Sequence, residues 1–138
     1  PKDIPQYLEN KVEKVIKRLG EHLVAYKRIC FDITFGEKKY IEPNDIVCVQ
    51  SQANYVDYFI ITGEKLHLRG KIDDALGVLS PRLFVRIHNR TIVNMVHIVR
   101  PDYPNNEVIM DNGKTMGISR TYKNEFVLRY ANFNQDFR

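Results

Sequence analysis

Apolar and polar positions follow two different periods along this chain of 138 residues. Between residues 4 and 23 the apolar side chains recur every three or four positions, which is the spacing of one face of an α-helix. From residue 29 onwards, short apolar runs alternate with polar residues, and Gly, Pro and Asn separate the runs. Such runs are typical of β-strands joined by tight turns. The pattern therefore predicts an amphipathic N-terminal helix followed by a mainly β domain.

The β domain is expected to contain many short strands and two small helices. Asn112-Gly113 is a strong hairpin signal, because both residues readily adopt the positive φ angles of a two-residue turn. Apolar residues at helical spacing predict the two helices at 71–79 and 122–130. The predicted strands span residues 29–35, 39–41, 46–50, 55–62, 65–68, 83–87, 91–93, 97–103, 107–110 and 114–118.

Two interpretations of the N-terminal helix, within residues 1–28, stay open. The helix either packs against its own domain or serves as a linker or dimerising coiled coil, because its apolar stripe is nearly heptad-like. The chain starts at Pro1 rather than Met, and we therefore expect it to be a piece of a longer protein. Residues 29–138 form the predicted β domain.

Charge is distributed unevenly along the chain. In total there are 21 Lys and Arg against 17 Asp and Glu, a formal net charge of +4, and the sequence pI is about 9.1. Residues 81–138 hold nine Lys and Arg against five Asp and Glu, whereas residues 29–80 hold five against eight. This imbalance indicates one basic face, which suits a polyanionic partner.

Sequence patterns of catalysis and of metal binding are missing. There is no Gly-rich phosphate loop, no GxSxG nucleophile motif and no HExxH pair. Cys30 and Cys48 lie in apolar runs and are predicted to be reduced thiols in core strands. Asp73 and Asp74 are interpreted as the solvated first turn of a helix, where the dipole favours negative charge. We therefore expect no enzyme activity, cofactor or metal, and no run reaches the ~18–20 apolar residues of a membrane span.

The segment 82–94 concentrates groups that recognise nucleic acids. Arg86, His88, Asn89 and Arg90 fall within five positions of an otherwise apolar run. The guanidinium of Arg fits a phosphate or the O6/N7 edge of guanine, and the amide of Asn fits the N6/N7 edge of adenine. On residue types alone, a solvated strand face is an equally valid interpretation.

The order Phe-x-Arg-Ile-His-x-x-x-Ile-Val-Asn, at residues 84–94, resembles the signature of the LytTR family of bacterial DNA-binding domains. Three further segments resemble motifs of that family in the same order along the chain. They are the strand and turn at 45–56, the short helix at 72–79 and the hairpin and helix start at 107–122. The resemblance covers residues 38–130 and leaves out the N-terminal helix.

The resemblance implies an elongated, roughly ten-stranded LytTR-like β fold whose loops enter successive major grooves of double-stranded DNA. By position in the motifs, it implies DNA contacts from three places in the chain. These contacts are Asn54 in the loop after an early strand, His88, Asn89 and Arg90 in the central motif, and Arg120 before the last helix. Loops can present such side chains to base edges without a recognition helix.

Four further residues belong to the predicted DNA-binding set. Arg86 lies in the central motif and supplies another guanidinium. Lys114 and Lys123 are candidates for contacts with backbone phosphates, which add affinity but little specificity. Tyr55 is expected either to pack in the core or to contact a phosphate.

Some positions serve the fold or depart from the family pattern. Phe84 is predicted to lie in the core, and Asn94 is predicted to form hydrogen bonds at a turn or strand end. The chain has Gln50 where Glu is usual, Asn89-Arg90-Thr91 where Arg-Ser-aromatic is usual, and Gly117 where Pro is usual. The resemblance therefore does not define which bases are read.

Two functions remain as hypotheses. The resemblance implies the output module of a longer cytoplasmic transcription regulator, placed after a receiver or sensor domain and bound as a homodimer to repeated half-sites in promoter DNA. The residues alone also allow a small β protein-interaction domain with a basic face. Strong weakening of binding by salt is expected only for the DNA-binding function.

Overall fold

The computed structural model describes residues 27–33 and 36–137. In this part of the chain there are ten strands in three antiparallel sheets and two α-helices. This architecture confirms the predicted mainly β fold. The predicted N-terminal helix lies outside the described residues, so its two interpretations stay open.

The elements follow the predicted order. The strands are β1 (Ile29–Asp32), β2 (Lys38–Ile41), β3 (Ile46–Gln52), β4 (Tyr55–Ile60), β5 (Lys65–Arg69), β6 (Phe84–His88), β7 (Thr91–Asn94), β8 (Ile98–Asp102), β9 (Glu107–Met110) and β10 (Thr115–Gly117). The helices are α1 (Ile72–Val78) and α2 (Arg120–Phe137).

Several boundaries differ from prediction by two residues or more, and two of these differences have a visible cause in the structure. The strand predicted at 55–62 ends at Ile60, because the next residues turn around Gly63, whose φ of 92° suits a residue without a side chain. The last helix begins two residues earlier than predicted and continues to Phe137. It continues because Phe126, Tyr130 and Phe133 bury their rings along one side of the helix, with successive ring centroids 5.7 and 6.3 Å apart.

The largest sheet has the strand order β5-β4-β3-β7-β6. Its central strands, β3 and β7, pair antiparallel, with Cys48 opposite Val93 and Val49 opposite Ile92. All four of these side chains are fully buried. Because both faces of the sheet are covered at this point, the run Ile46–Val49 of β3 and the pair Ile92-Val93 of β7 are apolar without alternation.

Two smaller sheets complete the fold. A three-stranded sheet, β10-β9-β8, follows β7 in the chain, and a two-stranded hairpin, β1-β2, precedes β3. The hairpin contributes Phe31 to the core, where its ring lies 4.7 Å from that of Tyr58. The helix α2 packs along the edge strand β6. It is tied there by Arg129, whose guanidinium donates to the carbonyl oxygens of Phe84 (2.8 Å) and Pro81.

Asn94 is a completely buried polar side chain at the end of β7. Its Nδ2 donates to the carbonyl oxygens of Ile46 (2.9 Å) and Pro43 (3.2 Å). Its Oδ1 accepts from the N–H of Val96 at 3.0 Å. The side-chain amide of Asn94 thus supplies hydrogen-bond partners to two backbone carbonyls at the start of β3 and to one N–H after β7. The predicted structural role of Asn94 is confirmed. The core position predicted for Phe84 is confirmed as well.

The two cysteines differ in environment. Cys48 is buried as predicted, and burial raises the pKa of its thiol to about 12. The prediction that Cys30 lies in the core is wrong, because its side chain is exposed. Within the described residues its strand β1 pairs only with β2, and the alternate residues Ile29 and Phe31 face the core while Cys30 points away from it. Apolar neighbours in the sequence do not reveal that one face of this hairpin is uncovered.

Substitution Asn94→Ala is expected to lower the free energy of unfolding by about 2–4 kcal/mol, because two buried carbonyls and one N–H lose their partner. The exposed Asn124 on α2 supplies the matched control, and Asn124→Ala is expected to change stability by less than about 0.5 kcal/mol. Urea unfolding followed by circular dichroism measures both variants. Equal losses in the two variants would contradict the structural role of Asn94.

Thiol labelling is expected to separate the two cysteines. In the folded chain at neutral pH, iodoacetamide should modify Cys30 rapidly and leave Cys48 unmodified, because the buried Cys48 stays protonated. Mass spectrometry of tryptic peptides, with a urea-unfolded sample as the control for full reactivity, measures the ratio. Similar labelling of both thiols in the folded chain would contradict the burial of Cys48.

Candidate nucleic-acid interface

Two hairpin turns lie side by side at one end of the five-stranded sheet. Ala53 and Asn54 connect β3 to β4, and Asn89 and Arg90 connect β6 to β7. Because β3 and β7 are antiparallel neighbours, the end of β3 meets the start of β7. The N–H of Ser51 donates to the carbonyl oxygen of Arg90 at 2.9 Å and joins the two turns directly. Two predicted contact regions are therefore adjacent in space.

The end of β5 lies at the same place. The N–H of Gly70 donates to the carbonyl oxygen of Asn54 at 2.8 Å, so the chain leaving β5 passes beside the β3–β4 turn. The flanking residues Arg69 and Lys71 are both exposed. The sequence analysis did not select these two cations. Their position on either side of a glycine, just before a helix, is a sequence pattern from which they could have been found.

The start of α2 completes this end of the sheet. The N–H of Ser119 donates to the carbonyl oxygen of Ile87 at 2.8 Å, and this bond places Arg120 beside the β6–β7 turn. The hydroxyl of Tyr122 donates to Oδ1 of Asn89 at 3.2 Å. We call the surface formed by residues 53–54, 69–71, 88–90 and 119–122 the loop end.

Arg86 acts as a clamp beneath the β6–β7 turn. Its guanidinium donates to the carbonyl oxygens of His88 (Nε, 3.2 Å) and Asn89 (2.5 Å) and to Oδ1 of Asp73 on α1 (2.7 Å). It also lies 5.5 Å from the ring centroid of Tyr122. Only 20% of the Arg86 side chain is exposed. This residue therefore holds α1, α2 and the turn in one arrangement.

His88 stabilises the same turn in a different way. Its Nδ1 accepts from the N–H of Arg90 at 3.1 Å. In the neutral ring the proton is therefore on Nε2, which stays available to donate to a ligand. The side chains of Asn89 and Arg90 are exposed at the tip.

The loop end holds cations without acidic partners. The side chains of Arg69, Lys71, Arg90 and Arg120 are exposed, and within the described residues none forms a hydrogen bond or ion pair. Some cations elsewhere are paired, as in Lys39 with Glu64 at 2.5 Å. The unpaired cations thus create a local positive potential that attracts phosphates.

Three predicted residues have internal contacts instead. Lys114 lies on the β9–β10 turn, with its Nζ 4.3 Å from the ring centroid of Phe59, towards the opposite end of β4 from Asn54. Lys123 donates from Nζ to Oδ1 of Asn106 at 2.6 Å and to the carbonyl oxygen of Tyr103 at 3.2 Å. Tyr55 follows Asn54 and stacks on a histidine of β5, with its side chain partly exposed. The structure therefore gathers Asn54, His88, Asn89, Arg90 and Arg120 and places the two lysines apart from them.

Two further properties concern the described residues, 27–33 and 36–137. In this part of the chain, no three His, Cys, Asp or Glu side chains come together in a group that could hold a metal ion. Among its helices, none is both long enough and apolar enough to cross a membrane.

The fold and the loop end define a β-rich domain with exposed cations and amides gathered at one end of its largest sheet. A family model described as the LytTr DNA-binding domain matches residues 36–130. The chain therefore belongs to the LytTR family of DNA-binding domains, and the resemblance in the motifs is confirmed.

A solved structure supports the same fold. It is described as the LytTr DNA-binding domain of a methyl-accepting/DNA response regulator from Bacillus cereus. The match covers 75% of this chain and 95% of the other, with a TM-score of 0.62 and 19% sequence identity. No match was found among curated protein sequences.

The two arginines of the β6–β7 hairpin are expected to differ in their effect on stability. Arg86→Ala should lower the free energy of unfolding by about 2 kcal/mol, because two turn carbonyls and Asp73 lose their donor. Arg90→Ala, four positions away, removes an exposed side chain that has no partner in the described part of the chain, and it should change the free energy of unfolding by less than about 0.5 kcal/mol. Thermal and urea unfolding of both variants test the difference, and equal stability would exclude the clamp.

Proposed function

We propose that the loop end binds specific double-stranded DNA in the major groove and that the chain thereby regulates transcription. Membership of a family of DNA-binding domains supports DNA as the partner. The observation that carries the proposal is the gathering of four exposed cations, which have no partner among the described residues, beside exposed Asn54 and Asn89. Phosphates match the cations, and base edges match the amides and guanidinium groups.

In this proposal, Arg90 and Arg120 contact bases or phosphates from the tips of two adjoining elements. Asn89 presents mainly its Nδ2 donors, because the hydroxyl of Tyr122 already occupies one lone pair of its Oδ1. A donor amide favours acceptors of the major groove such as N7 of a purine. The Nε2–H of His88 is a further donor at the same tip.

Phosphate contacts are proposed for the surrounding residues. Arg69 and Lys71 flank the β3–β4 turn and hold the duplex in register without reading sequence. Tyr55 is proposed to contact a phosphate beside Asn54, and Lys114 and Lys123 are proposed to contact phosphates farther along the duplex. Arg86, although part of the predicted contact set, acts in this proposal by holding the turn that carries the contacts.

We further propose that the domain, residues 29–138, is the output module of a longer cytoplasmic regulator and binds repeated half-sites as a homodimer. The description of the Bacillus cereus relative as part of a response regulator supports this arrangement. A receiver or sensor domain upstream of residue 1 would supply the signal in such a protein. Residues 1–28 are then the linker or dimerisation helix.

Salt dependence is expected to reveal the electrostatic part of binding. Duplexes selected from a random library by the 138-residue chain supply the specific site, and fluorescence anisotropy measures affinity. With about four phosphate contacts, log K should fall against log[salt] with a slope of roughly −3.6. A binding constant insensitive to salt, or no enrichment of any duplex, would refute DNA binding and favour a protein partner for the basic face.

Two exposed arginines allow a matched test of base reading. Arg120→Ala should weaken binding to the selected duplex by about 1–3 kcal/mol and relax the preference at one base pair. Arg100 on β8 is equally a cation in an exposed position but lies outside the loop end. Arg100→Ala should leave both affinity and preference nearly unchanged. Equal losses on selected and random DNA for Arg120→Ala would remove Arg120 from the base-reading set.

A further inference from the structure

A buried carboxylate lies on the polar face of the β4–β5 hairpin. Asp57 is 9% exposed, and the strand register places it directly opposite His67. The Nδ1–H of His67 donates to Oδ1 of Asp57 at 2.5 Å. The backbone ladder already pairs β4 with β5, so the two strands do not depend on this side-chain contact for their register. Burial of a carboxylate costs free energy, and the pairing of the strands does not account for it here. The contact between Asp57 and His67 therefore points to a role beyond strand pairing.

The histidine is held on two sides and open on another. Its ring stacks on that of Tyr55, with centroids 4.4 Å apart and planes inclined by 13°. Half of the His67 side chain, 51%, stays exposed, and within the described residues its Nε2 has no hydrogen-bond partner. Asp57 and Tyr55 thus fix the ring plane and leave one ring nitrogen for a ligand.

The position of this ring relates it to the loop end. Tyr55 directly follows Asn54, and Arg69 lies opposite Tyr55 in the register. Lys65, His67 and Arg69 alternate along β5, so their side chains share one face at intervals of about 7 Å. The cationic surface of the loop end therefore continues along the edge strand β5.

We propose that His67 is a binding site for a DNA backbone phosphate, oriented by Asp57 and Tyr55. This inference rests on the proposed function and adds a contact outside the predicted set. Because Nδ1–H is committed to Asp57, Nε2 can donate to a phosphate only when the ring is protonated. The imidazolium then forms charge-assisted hydrogen bonds with the carboxylate on one side and the phosphate on the other.

The site makes DNA affinity depend on pH. Asp57 on β4 and Arg69 and Lys65 on β5 are the charged side chains beside the ring, and Tyr55 stacks on it. A bound phosphate stabilises the protonated ring further. Because Nε2 donates only from the protonated ring, we expect the phosphate contact to be tighter at about pH 6 than at about pH 8.

The test compares the 138-residue chain with His67→Gln on the selected duplex at about pH 6 and about pH 8. Near pH 6, His67→Gln should bind roughly three- to tenfold more weakly and show a salt slope smaller by about one. Near pH 8 the two proteins should bind alike. The other histidines are present in both proteins. Comparing the two DNA affinities at each pH therefore removes their contribution to the pH dependence.

His97 supplies a matched control, because its Nδ1 also donates to a carboxylate, that of Asp111 at 2.7 Å, but its Nε2 is already bonded to the carbonyl of Asn44. His97→Gln should therefore leave the pH dependence of DNA binding at its wild-type value. A second variant, Asp57→Asn, keeps His67 but removes its charge partner and should also flatten the pH dependence. Circular dichroism verifies that each variant is folded.

The outcomes separate the two proposals. If the wild-type chain binds and Arg120→Ala weakens binding, but His67→Gln keeps the wild-type pH and salt dependence, only the phosphate site at His67 is refuted. If the wild-type chain binds no duplex, both proposals are refuted. In the NMR spectrum, duplex but not inorganic phosphate alone should shift the His67 ring signals, and a shift with inorganic phosphate alone would assign the site to a free anion instead.

Discussion

The antiparallel pairing of β3 with β7 is the constraint on which the rest of the molecule depends. It fills the centre of the large sheet with side chains that are buried on both faces. It also brings two hairpin turns, distant in sequence, to the same end of that sheet. Asn94 secures the other end of β7 by satisfying the backbone around the start of β3. Core packing and placement of the candidate contacts therefore have one cause.

Polar side chains in this domain divide into two groups. Asn94, Arg86 and Arg129 are largely buried and donate to backbone carbonyls, so they fix the geometry of turns and the position of α2. Arg90 and Arg120 lie close to that framework but have no partner within the described residues. The backbone that carries these two arginines is therefore fixed in advance, whereas their side chains keep rotamer freedom that is lost on contact with a ligand.

The order of the elements and the family were predictable from the sequence because they are local or cumulative properties. Alternation, turn residues and four ordered motifs each depend on neighbouring positions. The pairing of distant segments was not predictable in the same way. Arg86 and Lys123 belong to the same residue types as the free cations, and only the fold shows that a carbonyl or carboxylate lies within hydrogen-bond distance of each. Cys30 was misplaced for the same reason, since exposure of one hairpin face depends on which other sheets cover it.

The construction of the β6–β7 turn has a consequence for how such domains diversify. Residues 89 and 90 contribute their backbone to the sheet, through the carbonyl of Arg90, and the clamp also grips the backbone carbonyl of Asn89. Their side chains are therefore largely independent of the fold, while Thr91 beside them is buried. Sequence drift at 89 and 90 therefore changes exposed side chains while the backbone hydrogen bonds of the turn persist, and this chain keeps the fold with unusual residues at both positions.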